Sequence, residues 1–243
     1  MNRRFFRGRI VATVVPLCLL TSWLAGCADG PVPEMRSLNP WVRKQWAEDE
    51  QFGPTYHRKV ADLAALRSSA ASLSPADQER IAQELAVRVK IETSPTMRVE
   101  LVRALGELPT ESARTALTES LSDENPKVRV VACKGLGQRP AAGTLETLGS
   151  VVASDTDLDV RIAAARELGK FKDPAAAQAL RVALDENDAA LQSVAMESLR
   201  GITGHAEYAN SVPAWRDFLD GGNPAAPPTP SLAESLQKYW YWY

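Results

Sequence analysis

Apolar residues recur through the middle of this chain at intervals of three and four, and the stripe they draw is repeated. Between 126 and 137 the apolar positions are Val128, Val131, Ala132 and Leu136; between 158 and 169 they are Val160, Ala163, Ala164 and Leu168. That spacing places them on one face of an amphipathic helix. A polar residue precedes each stripe: Ser94, Asn125, Asp157 and Asp188, spaced by 31, 32 and 31 positions. A short oxygen-bearing side chain there accepts bonds from the first free amides of a helix. Pro95 and Pro126 come next, at the first helical position, where a missing amide costs nothing. Gly106, Gly137 and Gly169 close the stripe and are expected to end the helix in the left-handed conformation that glycine tolerates. A second apolar run follows each glycine. Pro109, Pro140 and Pro174 mark its start, and Leu117, Leu148 and Leu180 stand four residues before Leu121, Val152 and Leu184.

One pattern is therefore written three times. A worn fourth copy runs from Asp188 to Leu199, with Arg200 where the glycine would be and Gly201 one later. A helix pair of this size cannot bury its apolar side alone, and a fixed period of about 31 residues is the mark of a stack of such pairs. The fold class read from this pattern is all-α, an α-solenoid of stacked antiparallel helix pairs. Arg98, Arg129 and Arg161 keep the same period, and Gln192 takes the next place. Repeated positions usually serve stacking. The arginines are therefore expected to bond to the neighbouring loops, with Asp123, Asp155 and Asp159 as the nearby acids.

The order Pro-x-x-Arg, alanine-rich helix, Leu-Gly, second helix resembles the HEAT family. The stretch Asp157-Leu-Asp-Val-Arg161-Ile-Ala-Ala-Ala-Arg-Glu-Leu-Gly169 is similar to the short HEAT-like repeat of phycobilin lyases. The resemblance covers Ser94 to Gly201, and less closely Tyr56 to Glu92, a degenerate first repeat with helical spacing at Val60, Leu63, Leu66 and Ala70 and then at Ile81, Leu85 and Val89. It implies a binding scaffold. It does not imply lyase activity, since fold does not fix function.

The two ends differ from this middle. Residues 1–26 have a basic start with Arg3, Arg4, Arg7 and Arg9, then an apolar run from Ile10 to Ala25, the layout of a secretory signal. The run is shorter than the ~20 residues that cross a bilayer comfortably. Leu24-Ala25-Gly26-Cys27 resembles the lipobox of bacterial lipoproteins, which implies cleavage before Cys27, lipid attachment there, and a place on the cell membrane or outer membrane facing the periplasm or the exterior. Residues 27–38 read as a tether, and 39–92 as N-terminal helices with the degenerate repeat. The repeats themselves occupy 93–207. Asn39 and Pro40 open a helix reaching about Gln51. Trp41 and Trp46 with Phe52 and Tyr56 concentrate aromatics there, as a cap over the open end of the stack or as a partner-binding patch. Residues 202–205 read as loop, and 208–222 as a C-terminal cap with Trp215, Phe218 and Leu219 on one side of a short helix. The segment 223–230 is a proline-rich linker. The last segment, 231–243, is a short helix ending in Tyr239, Trp240, Tyr241, Trp242 and Tyr243, a docking tag for a partner or the membrane interface, or a tail folded back on the body.

Charge and composition narrow the function. The chain holds 28 Lys+Arg against 30 Asp+Glu. Four of the basic residues precede Cys27, which leaves 24 against 30 beyond it. No concentrated basic face results, so nucleic acid is not an expected partner. Cys18, Cys27 and Cys133 have no paired metal spacing, and His57 and His205 lie at opposite ends of the sequence. No glycine-rich phosphate loop is present, and no cofactor is implied. Cys133 falls in the apolar phase and reads as core. The function expected from the sequence is a membrane-anchored, non-catalytic scaffold or adaptor of the bacterial cell envelope, not an enzyme, with protein partners in the envelope and the bilayer engaged through acylated Cys27. A structural component binding cell-wall polymer is the alternative, and a lyase-type enzyme, resting on fold analogy alone, is the reading after that.

Overall fold

A computed structural model describes residues 39–138, 141, 143–208 and 210–224. The signal segment, the tether, most of the proline-rich linker and the aromatic tail lie outside them. The chain divides into two compact units, Met1–Lys59 and Val60–Tyr243.

In the first unit, α1 spans Pro40–Asp49 and continues as a 3-10 turn over Glu50–Phe52. Asn39 caps it by accepting the Trp41 amide at 3.0 Å. Gly53 ends the turn at φ 128°, open to glycine alone. The next helix, α2, covers Tyr56–Ser69 and crosses from one unit to the other.

The second unit is built of helices among its described residues: α3 (Pro75–Ile91), α4 (Pro95–Gly106), α5 (Glu111–Ser120), α6 (Pro126–Gly137), α7 (Thr144–Ser154), α8 (Leu158–Leu168), α9 (Pro174–Ala179), α10 (Arg181–Asp185), α11 (Ala189–Thr203) and α12 (Val212–Leu219). The outer helices α4, α6, α8 and α11 pack in sequence, each on the one before. The inner helices α5, α7 and the α9–α10 pair lie against them. This is the expected solenoid of helix pairs.

The sequence signals explain the helix starts. Ser94, Asn125, Asp157 and Asp188 accept backbone amides of Met97, Lys127, Asp159 and Leu191. Pro95 and Pro126 occupy the first helical position as expected. Val128, Ala132, Val160, Ala164, Leu148 and Leu180 are all fully buried, and full burial of a valine or leucine is worth about 1.5–3 kcal/mol. Nothing in the sequence explains why the α9–α10 segment breaks at Leu180.

Two local expectations are corrected. Gly106 and Gly137 lie within the last turn of α4 and α6, and Gly169 follows α8 at φ −61°, so none is left-handed. Space is what these glycines provide. A Cβ on Gly169 would stand 2.7 Å from Cβ of Ser198, and one on Gly106 would stand 3.2 Å from Cα of Gly135. A Cβ on Gly137 would run into the Glu167 side chain. Each glycine seats a residue of the next outer helix. The second correction is at 202–203, which is helix rather than loop. There α11 runs on to Thr203, and Gly204 ends it at φ 80°.

The last described helix packs on α10 and α11. Ser211 caps α12, which buries Trp215 completely and Leu219 nearly so. Arg216 donates to the Leu184 carbonyl at 2.6 Å, and Gln178 donates to that of Leu219 at 2.9 Å. Arg181 pairs with Asp220.

Candidate binding surface

The repeated arginines tie each loop to the next. Arg98 grips Asp123 with two bonds of 2.8 and 2.9 Å, and Arg129 grips Asp155 with two of 2.8 Å. Arg129 also reaches back to the Asp123 carbonyl at 2.9 Å. The same aspartates accept the amides of Asn125 and Asp157, just ahead of the following helices. For Arg161 the expected acid is corrected. It bonds to Glu186 at 2.8 Å rather than to Asp159, and donates to the Val152 carbonyl. Gln192 fills the fourth place on the carbonyls of Leu184 and Glu186. Burial pushes the Asp123 and Asp155 carboxyls up, but the guanidinium and backbone bonds outweigh it and hold both below the ordinary carboxylate range. These arginines are structural, as their period indicated.

The inner layer has one irregularity. On one side α5 packs against α3, and on the other α7 packs against α9 and α10, but α5 and α7 make no comparable contact. Two features account for it. The connection from α6 to α7 covers 138–143, whereas that from α4 to α5 covers only 107–110. Gly149 lets α7 close on α9, where an added Cβ would lie 3.2 Å from Ala179. An opening of about 720 Å³ is left, lined by Thr118, Ser150, Ser154, Glu146 and the Arg129–Asp155 pair among others. Ligand sites commonly enclose about 300–1,000 Å³. The sequence reading missed this opening. The longer 138–143 connection was its one visible signal.

Of the residues singled out as partner-binding, two lie within the described residues. Trp41 is 80% exposed on α1. Trp46 is half-buried, its ring stacked on His57 with centroids 3.6 Å apart. Cys27, Tyr239, Trp240, Tyr241, Trp242 and Tyr243 lie outside them. His205 is packed among aromatics, 5.1 Å from Tyr208 and 4.8 Å from Phe218 between ring centroids. Cys133 is fully buried, and burial pushes its thiol up to about 12, which makes it inert as a nucleophile. Among the described residues no group of three or more His, Cys, Asp or Glu is placed to hold a metal ion, and no helix is long and apolar enough to cross a membrane.

Comparison with known proteins supports the repeats. No curated protein matches the chain. Among solved structures it is similar to human deoxyhypusine hydroxylase in complex with glycerol, at 24% identity and a TM-score of 0.46. The match covers 51% of this chain and 44% of the other, so this chain spans less than half of that protein's length. Residues 97–123 match the PBS lyase HEAT-like repeat, and residues 115–200 match HEAT repeats. A lyase is named in the repeat model matched at 97–123, so repeats of this kind occur in enzymes. The expectation that the chain is not an enzyme is corrected accordingly. No activity passes to this chain from either name. What the matches do establish is a run of HEAT-like repeats between residues 97 and 200.

Proposed function

We propose that the protein is a scaffold of the bacterial cell envelope, held to a membrane by acyl chains on Cys27 and presenting its stacked helices to other proteins. The observation that carries the anchor is the placing of Leu24-Ala25-Gly26-Cys27 at the end of a basic-then-apolar segment. One acyl chain gives only marginal binding, whereas two or more give stable anchoring. Protein contact is supported by the repeats, because stacked helix pairs offer a continuous binding surface. The nearly balanced charge beyond Cys27 gives no basic face for nucleic acid. Trp41, exposed on α1, adds a candidate contact, and the run of aromatic residues Tyr239 to Tyr243 adds another, since aromatic side chains are favoured at interfaces.

Membrane fractionation of a Cys27→Ser variant tests the anchor. The variant is expected in the soluble fraction, without the mass of attached acyl chains. Membrane association unchanged from wild type would refute anchoring through Cys27.

A further inference from the structure

The opening between α5 and α7 carries the furthest inference. Its uncompensated charge has one sign. A hydroxyl has one proton to donate, and three of the lining hydroxyls already direct theirs to their own helix. Thr118 donates to the Arg114 carbonyl at 3.0 Å, Thr147 to that of Gly143 at 2.7 Å, and Ser154 to that of Ser150 at 2.8 Å. What those oxygens have left is acceptor capacity. The charged lining is Asp123, Glu146, Asp155 and Arg129; Arg98 grips Asp123 and Arg129 grips Asp155, so the charge left over is that of Glu146. Arg129 has four N–H bonds engaged with Asp155 and the loop carbonyls. Glu146 is exposed and has no ion-pair partner among the described residues. The opening therefore shows an incoming group three hydroxyl acceptors and the one uncompensated carboxylate of Glu146. A phosphate or carboxylate ligand is disfavoured. A chain of ammonium, guanidinium and amide donors is matched.

The walls are parts of two helices that in a regular stack would touch each other. A gap of that origin is elongated along the helices, and α7 alone is about 16 Å long at 1.5 Å per residue. An extended backbone presents its N–H groups at a similar scale, about 3.3 Å per residue. We propose that the opening between α5 and α7 binds an extended, lysine- or arginine-bearing segment of a partner protein, with Glu146 facing a cationic side chain and the Thr118, Thr147 and Ser154 oxygens accepting donors. This rests on the scaffold reading and gives the partner a chemical class.

The test uses the full-length protein in detergent and a fluorescent peptide, Lys-Ser-Lys-Ala-Lys-Ser-Lys, read by anisotropy at two salt concentrations. Glu146→Lys reverses the free charge, and Ser150→Trp fills the opening from an exposed position that the core does not use. Each variant is expected to weaken binding on the order of tenfold with an unchanged melting temperature. The peptide with glutamate in place of lysine is expected not to bind. Spermidine, which has the charge without a backbone, is expected to bind far more weakly. Equal binding by both variants, or by the acidic peptide, or by spermidine, would overturn the proposal. Crosslinking in cells separates it from the scaffold reading. Partners still captured by Ser150→Trp would leave the scaffold standing and overturn this groove. Peptide binding that both variants abolish, in a protein that captures no partner, would support the groove and overturn the scaffold.

Discussion

Gly169→Ala is the sharpest probe of how the stack is held. At φ −61° and ψ −14° the backbone is right-handed, so alanine brings no conformational strain. Backbone freedom alone would predict a gain of about 0.4–1 kcal/mol from the stiffer unfolded chain. The surroundings predict the opposite. The new methyl would stand 2.6 Å from Oγ, 2.7 Å from Cβ and 2.9 Å from Cα of Ser198. Contacts of an ordinary kind begin near 3.4 Å. A rotamer change moves Oγ but neither Cβ nor Cα, so α8 and α11 must separate. Ser198 also donates to the Ala165 carbonyl at 3.0 Å across the same contact, and that bond would lengthen. Overpacking of this kind costs about 1–3 kcal/mol. Set against the entropic gain, a net loss of about 1–2 kcal/mol is expected in urea denaturation. Ser198→Gly removes Oγ and Cβ and should recover part of that loss. A double-mutant cycle should then give a favourable coupling of about 0.5–3 kcal/mol. A Gly169→Ala protein as stable as wild type, or a cycle with no coupling, would refute close approach as the reason for this glycine.

Three further outcomes follow from the loops and the core. Asp155→Ala leaves the Arg129 charge without its carboxylate partner and with only two loop carbonyls, at a site where the two side chains are 12% and 9% exposed, so a loss of about 3 kcal/mol is expected by urea denaturation. The pH dependence has a definite sign. The Asp123 and Asp155 carboxyls sit below their ordinary 3.8 when folded, so their contribution is present above that value and is lost as pH falls through the folded pKa. Acid titration of stability should therefore be steeper below about pH 4 for wild type than for Asp155→Asn. Cys133 should resist maleimide at neutral pH in the native protein and react once urea unfolds it, since burial pushes the thiol to about 12. Rapid labelling of the native form would show that the helix pairs open readily.

What could be read from the sequence was what a short window contains. The caps Ser94, Asn125, Asp157 and Asp188 act within three residues of themselves, so residue type and period were enough to find them. The arginines were legible too, because Asp123 and Asp155 fall in the loop that their period marks. Asp159 stood among the nearby acids but Arg161 bonds to Glu186, which is 25 residues on, as Asp123 is from Arg98. The glycines failed for a related reason. A helix end and a helix–helix contact both favour glycine, and only the opposing residue, about one repeat further on, tells them apart. The opening between α5 and α7 depends on where two whole helices settle. Its hydroxyls stood in the sequence, but nothing marked them as sharing a wall.

The outer and inner layers are held by different means, and that difference places the binding surface. The outer helices α4, α6 and α8 are each fixed twice: near the start by an arginine gripping the next loop, and near the end by a glycine that seats the next helix. Between α6 and α8 both devices are present, in Arg129 with Asp155 and Gly137 against Glu167. Such a stack is approximately a sum of repeat stabilities and nearest-neighbour interfaces. With the outer layer fixed so firmly, the inner contact of one interface can be left unmade without parting the repeats. The opening beside α7 is that unmade contact. A segment lying there would supply it, and would stabilise the folded chain by an amount set by its concentration relative to its dissociation constant. The occupant should therefore raise the melting temperature of wild type and leave that of Ser150→Trp unchanged, because the indole already fills the space.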